Sequence, residues 1–227
     1  MKKFWAYISN GEYSVGTTGQ TVYLYDKNGK ETGKFKDMIY AYTPMFSPDG
    51  KIFVVKSTEG RLAVYSLKTC SLVKKFRFSK FAAAQDDGFC FSPDGKYFIN
   101  IENHGDDGLL WAITVYDTED FSMVSRKYLG DIAINYIEYD YETGEYYCIG
   151  CTPGVEDSNF VAKYKNNEIT DIRKYPEKDW SFNMSCLLLK MHGFTEKQYE
   201  WSYLDRSLDE VKKMNFSIAK LYETYEP

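Results

Sequence analysis

Short apolar runs separated by polar turns recur from the N-terminus to about residue 175. Four of them end in tyrosine: Val22-Tyr-Leu-Tyr25, Leu62-Ala-Val-Tyr65, Ile113-Thr-Val-Tyr116 and Phe160-Val-Ala-Lys-Tyr164. They are too short for helices and rich in the β-branched and aromatic residues that suit a pleated, half-buried surface, so each is expected as a strand. A strand is expected before each of them, at Tyr13–Thr17, Ile52–Lys56, Tyr97–Ile101 and Tyr146–Gly150. A third, more basic set follows, at Thr32–Lys36, Leu72–Phe78, Met123–Tyr128 and Ile169–Tyr175.

The pattern is a repeat. Phe46-Ser-Pro-Asp-Gly-Lys51 returns 45 residues later as Phe91-Ser-Pro-Asp-Gly-Lys96, and Tyr139-Asp-Tyr-Glu-Thr-Gly-Glu145 and Ile8-Ser-Asn-Gly-Glu12 are looser copies. The marker glycines Gly11, Gly50, Gly95 and Gly144 stand 39, 45 and 49 residues apart. Pro48 and Pro93 preset φ at the second turn position, aspartate tolerates the third, and Gly50 and Gly95 take the left-handed position that closes a tight hairpin. With a strand before each marker, every unit has four strands. Such units, about 40–50 residues long, cannot bury an apolar face alone and must stack.

The Phe-Ser-Pro-Asp-Gly-Lys marker, followed by a strand and then Val-Tyr-Asp or Val-Tyr-Ser, resembles WD40-type and related β-propeller repeats over about residues 3–175. The resemblance implies an all-β fold: a small or partial propeller of four to five blades within one domain, residues 1–227. Blade-like repeats are expected at about 3–37, 40–79, 88–129 and 134–175. The chain departs from the standard pattern. The Gly-His dipeptide is missing, and Tyr25-Asp26, Tyr65-Ser66 and Tyr116-Asp117 replace Trp-Asp.

Two expectations compete for residues 180–227. One is a fifth, partial blade with strands at Met184–Met191, Glu200–Leu204 and Val211–Phe216. The other is a C-terminal helix over about 208–225, preceded by a strand or hairpin near 181–191. Ser207-Leu-Asp-Glu210 reads as a capping box, and Leu208, Val211, Asn215, Ile218, Tyr222 and Tyr225 follow at steps of three and four. Thr195-Glu-Lys-Gln198 is a weaker box. Four blades are few for a closed ring. An open array leaves an edge that a second copy or another partner would complete.

Composition narrows the function. The chain of 227 residues carries a net charge of −5, which disfavours a nucleic-acid surface. No stretch approaches the roughly 18 unbroken apolar residues of a membrane span, and Phe4–Ile8 is too short for a signal-peptide core, so a cytoplasmic location is expected. The five cysteines are expected as free thiols. Cys148 and Cys151 fall three apart in a strand, pointing to opposite faces, and only His104 and His192 are available to complete a metal site. No cofactor is expected. Neither a nucleophile elbow nor a phosphate loop occurs, which argues against an enzyme.

The distance from marker glycine to tyrosine grows from 14 and 15 residues in the first two repeats to 21 and 20 in the next two. The extra residues fall in the loops 103–110 and 152–158, which open on the same side as the links between blades. Insertions confined to one face mark the binding face of many repeat proteins. That rim would gather Asp86, Asp87, Asp106, Asp107, Glu156 and Asp157, with Glu177 and Asp179 beside them. Phe81, His104, Trp111 and Trp180 stand nearby. The expectation is a non-enzymatic interaction module that grips a protein or peptide, basic or mixed in charge, through aromatic anchors steered by carboxylates. A carbohydrate- or small-ligand-binding propeller is the alternative. A hydrolase or lyase working through loop carboxylates is the third.

Overall fold

The computed structural model describes residues 2–79, 88–104, 110–202 and 204–225. Sixteen strands in these residues form four antiparallel four-stranded sheets. Blade 1 joins β1 (Ala6–Ser9), β2 (Tyr13–Thr17), β3 (Val22–Asp26) and β4 (Glu31–Phe35). Blade 2 joins β5 (Ala41–Phe46), β6 (Ile52–Ser57), β7 (Arg61–Ser66) and β8 (Ser71–Arg77). Blade 3 joins β9 (Phe89–Phe91), β10 (Tyr97–Asn103), β11 (Trp111–Asp117) and β12 (Met123–Tyr128). Blade 4 joins β13 (Ala133–Asp140), β14 (Glu145–Cys151), β15 (Phe160–Lys165) and β16 (Glu168–Lys174).

The marker turns have the expected construction. Gly50, at φ 66°, donates to the Ser47 carbonyl at 3.0 Å, and Gly95, at φ 71°, donates to Ser92 at 2.9 Å. Asp49 and Asp94 each accept from the preceding serine hydroxyl at 2.7 Å and from the following lysine N–H at 3.1 Å. The basic run Lys74-Lys75-Phe76-Arg77 lies in β8, an edge strand whose residues alternate between exposed and half-buried.

The chain divides into two compact units. The first holds blades 1 and 2 with residues 184–215. Its core is Val15, Val22 and Leu24 of blade 1 against Phe53, Val55, Ala63 and Tyr65 of blade 2. The second holds blades 3 and 4 with residues 216–225. Its core sets Ile99, Ile101 and Ile113 of blade 3 against Ile134, Cys148, Phe160 and Ala162 of blade 4. Cys148, fully enclosed, has its thiol pushed up to about 12 by burial. All five cysteines are free.

After blade 4 the described residues form four helices and no fifth blade. The strand expected near 181–191 is instead helix α1 (Glu177–Met191). A strand would place neighbours of the run Cys186-Leu-Leu-Leu189 on opposite faces. Instead Asn183, Cys186 and Leu187 are buried at helical spacing, with Glu177 and Asp179 in the first turn and Lys190 in the last. Helix α2 (Glu196–Glu200) is capped by Thr195, and α3 (Leu208–Lys213) by the Ser207–Glu210 capping box.

The single helix expected over 208–225 is broken. Asn215 turns left-handed at φ 45°, and Ser217 caps a separate α4 (Ile218–Thr224). Helix α4 covers the face of blade 4 turned away from blade 3. Ile218, Leu221 and Tyr222 are buried there, with the Tyr222 ring 5.2 Å from Tyr147 and 3.7 Å from the Arg173 guanidinium. In the first unit, Gly193 at φ 71° permits a close approach: a Cβ there would stand 1.9 Å from the Tyr7 carbonyl oxygen. The neighbouring His192 is buried, with its ring nitrogens 2.9 Å from the Thr43 hydroxyl and 3.0 Å from the Gln198 amide oxygen.

Candidate functional site

Of the nominated rim residues, Phe81, Asp86, Asp87, Asp106 and Asp107 lie outside the described residues. The others are in the second unit. Glu156 and Asp157 are exposed on the loop after β14, which the Ser158 hydroxyl pins to the carbonyls of Val155 (2.7 Å) and Thr152 (2.9 Å). Trp180 is half-buried in α1, edge-on to Tyr175. Two neighbouring carboxylates are already engaged: Glu177 accepts from Asn159, and Asp179 accepts from the Tyr225 hydroxyl at 3.2 Å. Trp111 opens β11 opposite Asn103, half-buried, and its indole N–H is enclosed with no acceptor among the described residues.

His104 belongs to a network that sequence reasoning missed. Residues 100, 102 and 104 of β10 and its end share a face with residues 114 and 116 of β11 and 126 of β12. At the centre is Glu102, wholly buried. Its carboxylate accepts from Tyr116 at 2.5 Å, His104 and Thr114 at 2.7 Å, Arg126 at 2.9 Å and Asn100 at 3.0 Å. Burial alone would push its carboxyl up, but the hydrogen bonds from His104, Tyr116, Thr114 and Asn100 outweigh it. They hold the group below its ordinary value. Burial, and then the charge of Glu102, raise the Tyr116 phenol. A carboxylate with five donors is saturated, which suits it to rigidify a sheet rather than to move protons.

The end of the first unit built from the β2–β3 loop and the β4–β5 link is different in kind. Tyr40, Tyr42, Trp5 and Trp201 form a row there, with successive ring centroids 6.4, 5.4 and 5.6 Å apart. Trp5 is fixed through its backbone: its N–H donates to Thr17 and its carbonyl accepts from the Thr195 hydroxyl, each at 2.8 Å. Gly19 makes room for Tyr42, since a Cβ there would meet the ring at 2.8 Å. Tyr40 is held left-handed at φ 53°, its carbonyl accepting from Thr58. Trp201 follows the last turn of α2.

The row is open to solvent. Trp201 is 63% exposed, Tyr40 49% and the adjoining Ile39 48%. A groove of about 230 Å³ runs between Thr18-Gly19-Gln20 and Ile39, Tyr40 and Tyr42. Among the described residues, no side-chain or backbone acceptor meets the indole N–H of Trp5 or Trp201 or the phenols of Tyr40 and Tyr42. Burial, and then Tyr40, raise the Tyr42 phenol, so it keeps its proton.

A second concavity, about 470 Å³, lies at the marker-turn end of blades 3 and 4. Ile99, Val115, Tyr97, Tyr146 and Tyr164 line it, and the Glu145–Lys163 ion pair (2.6 Å) stands at its margin. None of the described rim residues lines it.

Compared with solved structures, the chain is similar to hydrazine synthase of Kuenenia stuttgartiensis, with TM-score 0.61 at 20% identity over 74% of this chain and 47% of that one. It is also similar to the WD40 domain of coronin from Toxoplasma gondii, with TM-score 0.58 at 15% identity over 78% and 46%. The chain thus spans about half the length of either structure. No protein-family model matches the sequence, and no curated protein does. At these identities the likeness establishes the class alone: a protein built from β-propeller blades. Among the described residues no helix is long and apolar enough to cross a membrane.

Proposed function

We propose that this chain is a non-catalytic interaction module that binds a protein or peptide partner at the loop end of its first unit. One observation carries the reading: four aromatic side chains form an exposed row whose hydrogen-bond donors have no partner within the described protein. Tryptophan and tyrosine dominate the residues that supply binding energy at interfaces, because they bury large rigid areas and still offer a donor. A Trp that is 63% exposed is otherwise a liability for solubility.

The test is affinity capture from lysate, followed by mass spectrometry, with three folded chains. A partner retained by the native chain and by Glu156→Gln/Asp157→Asn, but lost by Tyr40→Ala/Trp201→Ala, supports the module and its site. Equal capture by all three excludes this site. The tyrosine-lined cavity of blades 3 and 4, within the size range of small-molecule sites, favours small-ligand binding as the second reading. Saturable binding from a glycan or metabolite library, lost in Tyr97→Ala, would support it.

A further inference from the structure

We infer that the partner segment held at the Tyr40 end of the aromatic row is an acidic peptide, with carboxylates over Lys36, Arg61, Lys75 and Arg77 and an apolar residue against Ile39 and Tyr40. The inference rests on the binding-module reading and names the chemistry of its ligand.

The net charge of −5 conceals a division. Residues 1–82, which carry the first two blades, hold 14 Lys and Arg against 6 Asp and Glu, while residues 83–183 hold 8 against 20. Residues 184–215, the remainder of the first unit, balance at 5 of each. The excess positive charge of that unit therefore belongs to its blades. The row meets it unevenly. At the Trp201 end, Lys3 and Lys197 are matched by Glu196 and Glu200. At the Tyr40 end, four cations gather about two carboxylates, Asp37 and Glu59.

Hydrogen bonds fix that gathering. The Ser57 hydroxyl donates to the Ile39 carbonyl at 2.7 Å and the Thr58 N–H to the Tyr40 carbonyl at 3.2 Å, so the turn between β6 and β7 holds this exposed pair. The same turn leads through Glu59 and Gly60 into Arg61. The Gly60 carbonyl accepts from the Ser79 N–H at 3.2 Å, which brings the end of β8 alongside. Arg77, the last residue of β8, donates to the Ser79 carbonyl at 2.8 Å and stands directly opposite Arg61. Lys75 is two residues earlier and so on the same face. Its ammonium is 2.9 Å from the Asp37 carbonyl, in the β4–β5 link that also carries the exposed Lys36.

Like charges facing each other across a strand pair cost stability. Glu59 reaches Arg61 only at 3.8 Å. An anion over the two arginines removes that cost, and guanidinium groups grip carboxylates with paired hydrogen bonds. Ile39 and Tyr40, 48% and 49% exposed, add an apolar foothold to the same patch. A bare anion makes no use of it, whereas a peptide with an aliphatic or aromatic residue among its carboxylates does. A long polyanion such as a nucleic acid is opposed by the overall charge of −5, while a short segment confines its charge to the patch. The partner's sign is thus opposite to the one expected from the acidic loops of blades 3 and 4.

The experiment uses the full chain and a dye-labelled, end-blocked peptide, Glu-Asp-Glu-Tyr-Leu-Glu-Asp-Glu, followed by fluorescence anisotropy. The analogue with Gln and Asn for Glu and Asp, and an unlabelled oligothymidylate as competitor, serve as controls. The acidic peptide should saturate below about 1 mM at low salt. Raising salt from about 50 to 300 mM should weaken it at least about threefold, and the neutral analogue should bind at least about tenfold more weakly. Lys36→Glu/Lys75→Glu should cost at least about tenfold, and the milder Lys36→Gln/Lys75→Gln about three- to tenfold. Lys51→Glu/Lys68→Glu makes the same change in net charge at the marker-turn end of blade 2, and should cost less than about twofold. Variants are compared only after their unfolding curves match the native chain. No saturation up to about 2 mM, equal binding of the neutral analogue, or equal losses from the two charge reversals would overturn the inference. Tighter binding of the oligothymidylate would overturn it too, in favour of a nucleic acid. If the acidic peptide fails while Tyr40→Ala/Trp201→Ala still abolishes capture of a protein, the module reading stands and the acidic ligand is wrong.

Discussion

The two units treat their polar side chains in opposite ways. In blade 3, Glu102 is sealed from water and gathers five donors, so its carboxylate is satisfied inside the sheet, while the Asn100 amide oxygen beside it has no donor among the described residues. At the loop end of the first unit, four aromatic residues hold donors that nothing in the described protein accepts, and two of those residues stand largely in solvent. The first arrangement stabilises the unit and leaves little for a ligand to gain. The second costs solubility and becomes favourable when a partner arrives. Hydrogen-bond saturation, more than the presence of His, Glu or Trp as such, separates the structural cluster from the binding one.

The sharpest break of this comparison is Glu102→Ala. It leaves the Arg126 guanidinium and four other donors facing a buried gap, and should lower unfolding free energy by about 3–5 kcal/mol in urea titrations. The lower end is expected because Arg126 is partly exposed and can rehydrate. Partner binding per folded molecule should not change.

Gly193→Ala should come next, at about 2–4 kcal/mol, since it forces a side chain into left-handed backbone and against the Tyr7 carbonyl. It displaces the segment that carries Trp201, so stability and binding should fall together. If binding survives, the row does not depend on that packing.

Acid titration sharpens the contrast. The carboxyl of Glu102 is held below its ordinary value, so its contribution is complete above the unfolded value of about 4.3 and is lost as pH falls through the folded one. The stability gap between the native chain and Glu102→Gln should therefore narrow from pH 7 toward about pH 3. A gap that stays constant would mean that Glu102 is not the group being titrated.

The smallest stability effect is expected from Trp201→Ala, about 0.5–1 kcal/mol, the value of its edge-on contact with Trp5. The same change should cause the largest loss of binding.

Much of the fold was legible in the sequence, because each blade repeats one local rule. The third-strand span Met123–Tyr128 matches the structure residue for residue, and the strand expected at Tyr146–Gly150 is one residue longer at each end. Local chemistry also gave the marker turns and the Ser207 cap. The run Cys186-Leu-Leu-Leu189 misled, since a short unbroken apolar run has neither strand nor helix period. The helix break at Asn215 was masked by spacing that continues across it, although asparagine followed by Ser217 is a stop and a fresh cap.

The sites were harder to see. Glu102 sits one residue past the expected strand end, and the alternation Asn100, Glu102, His104 against Thr114 and Tyr116 was its only trace. The aromatic row joins residues 5, 40, 42 and 201, which no local pattern can connect. The available signal was that Trp5, Ile39, Tyr40 and Trp201 fall outside the strand spans named for the four blades.

The most direct test is tryptophan oxidation of the free chain and of the partner-bound complex, read residue by residue by mass spectrometry. The account predicts that Trp201, the most exposed of the ring residues in the row, reacts readily in the free chain and is protected in the complex, while Trp111 and Trp180 keep their reactivity. Unchanged reactivity of Trp201 in a complex that is demonstrably formed would contradict it.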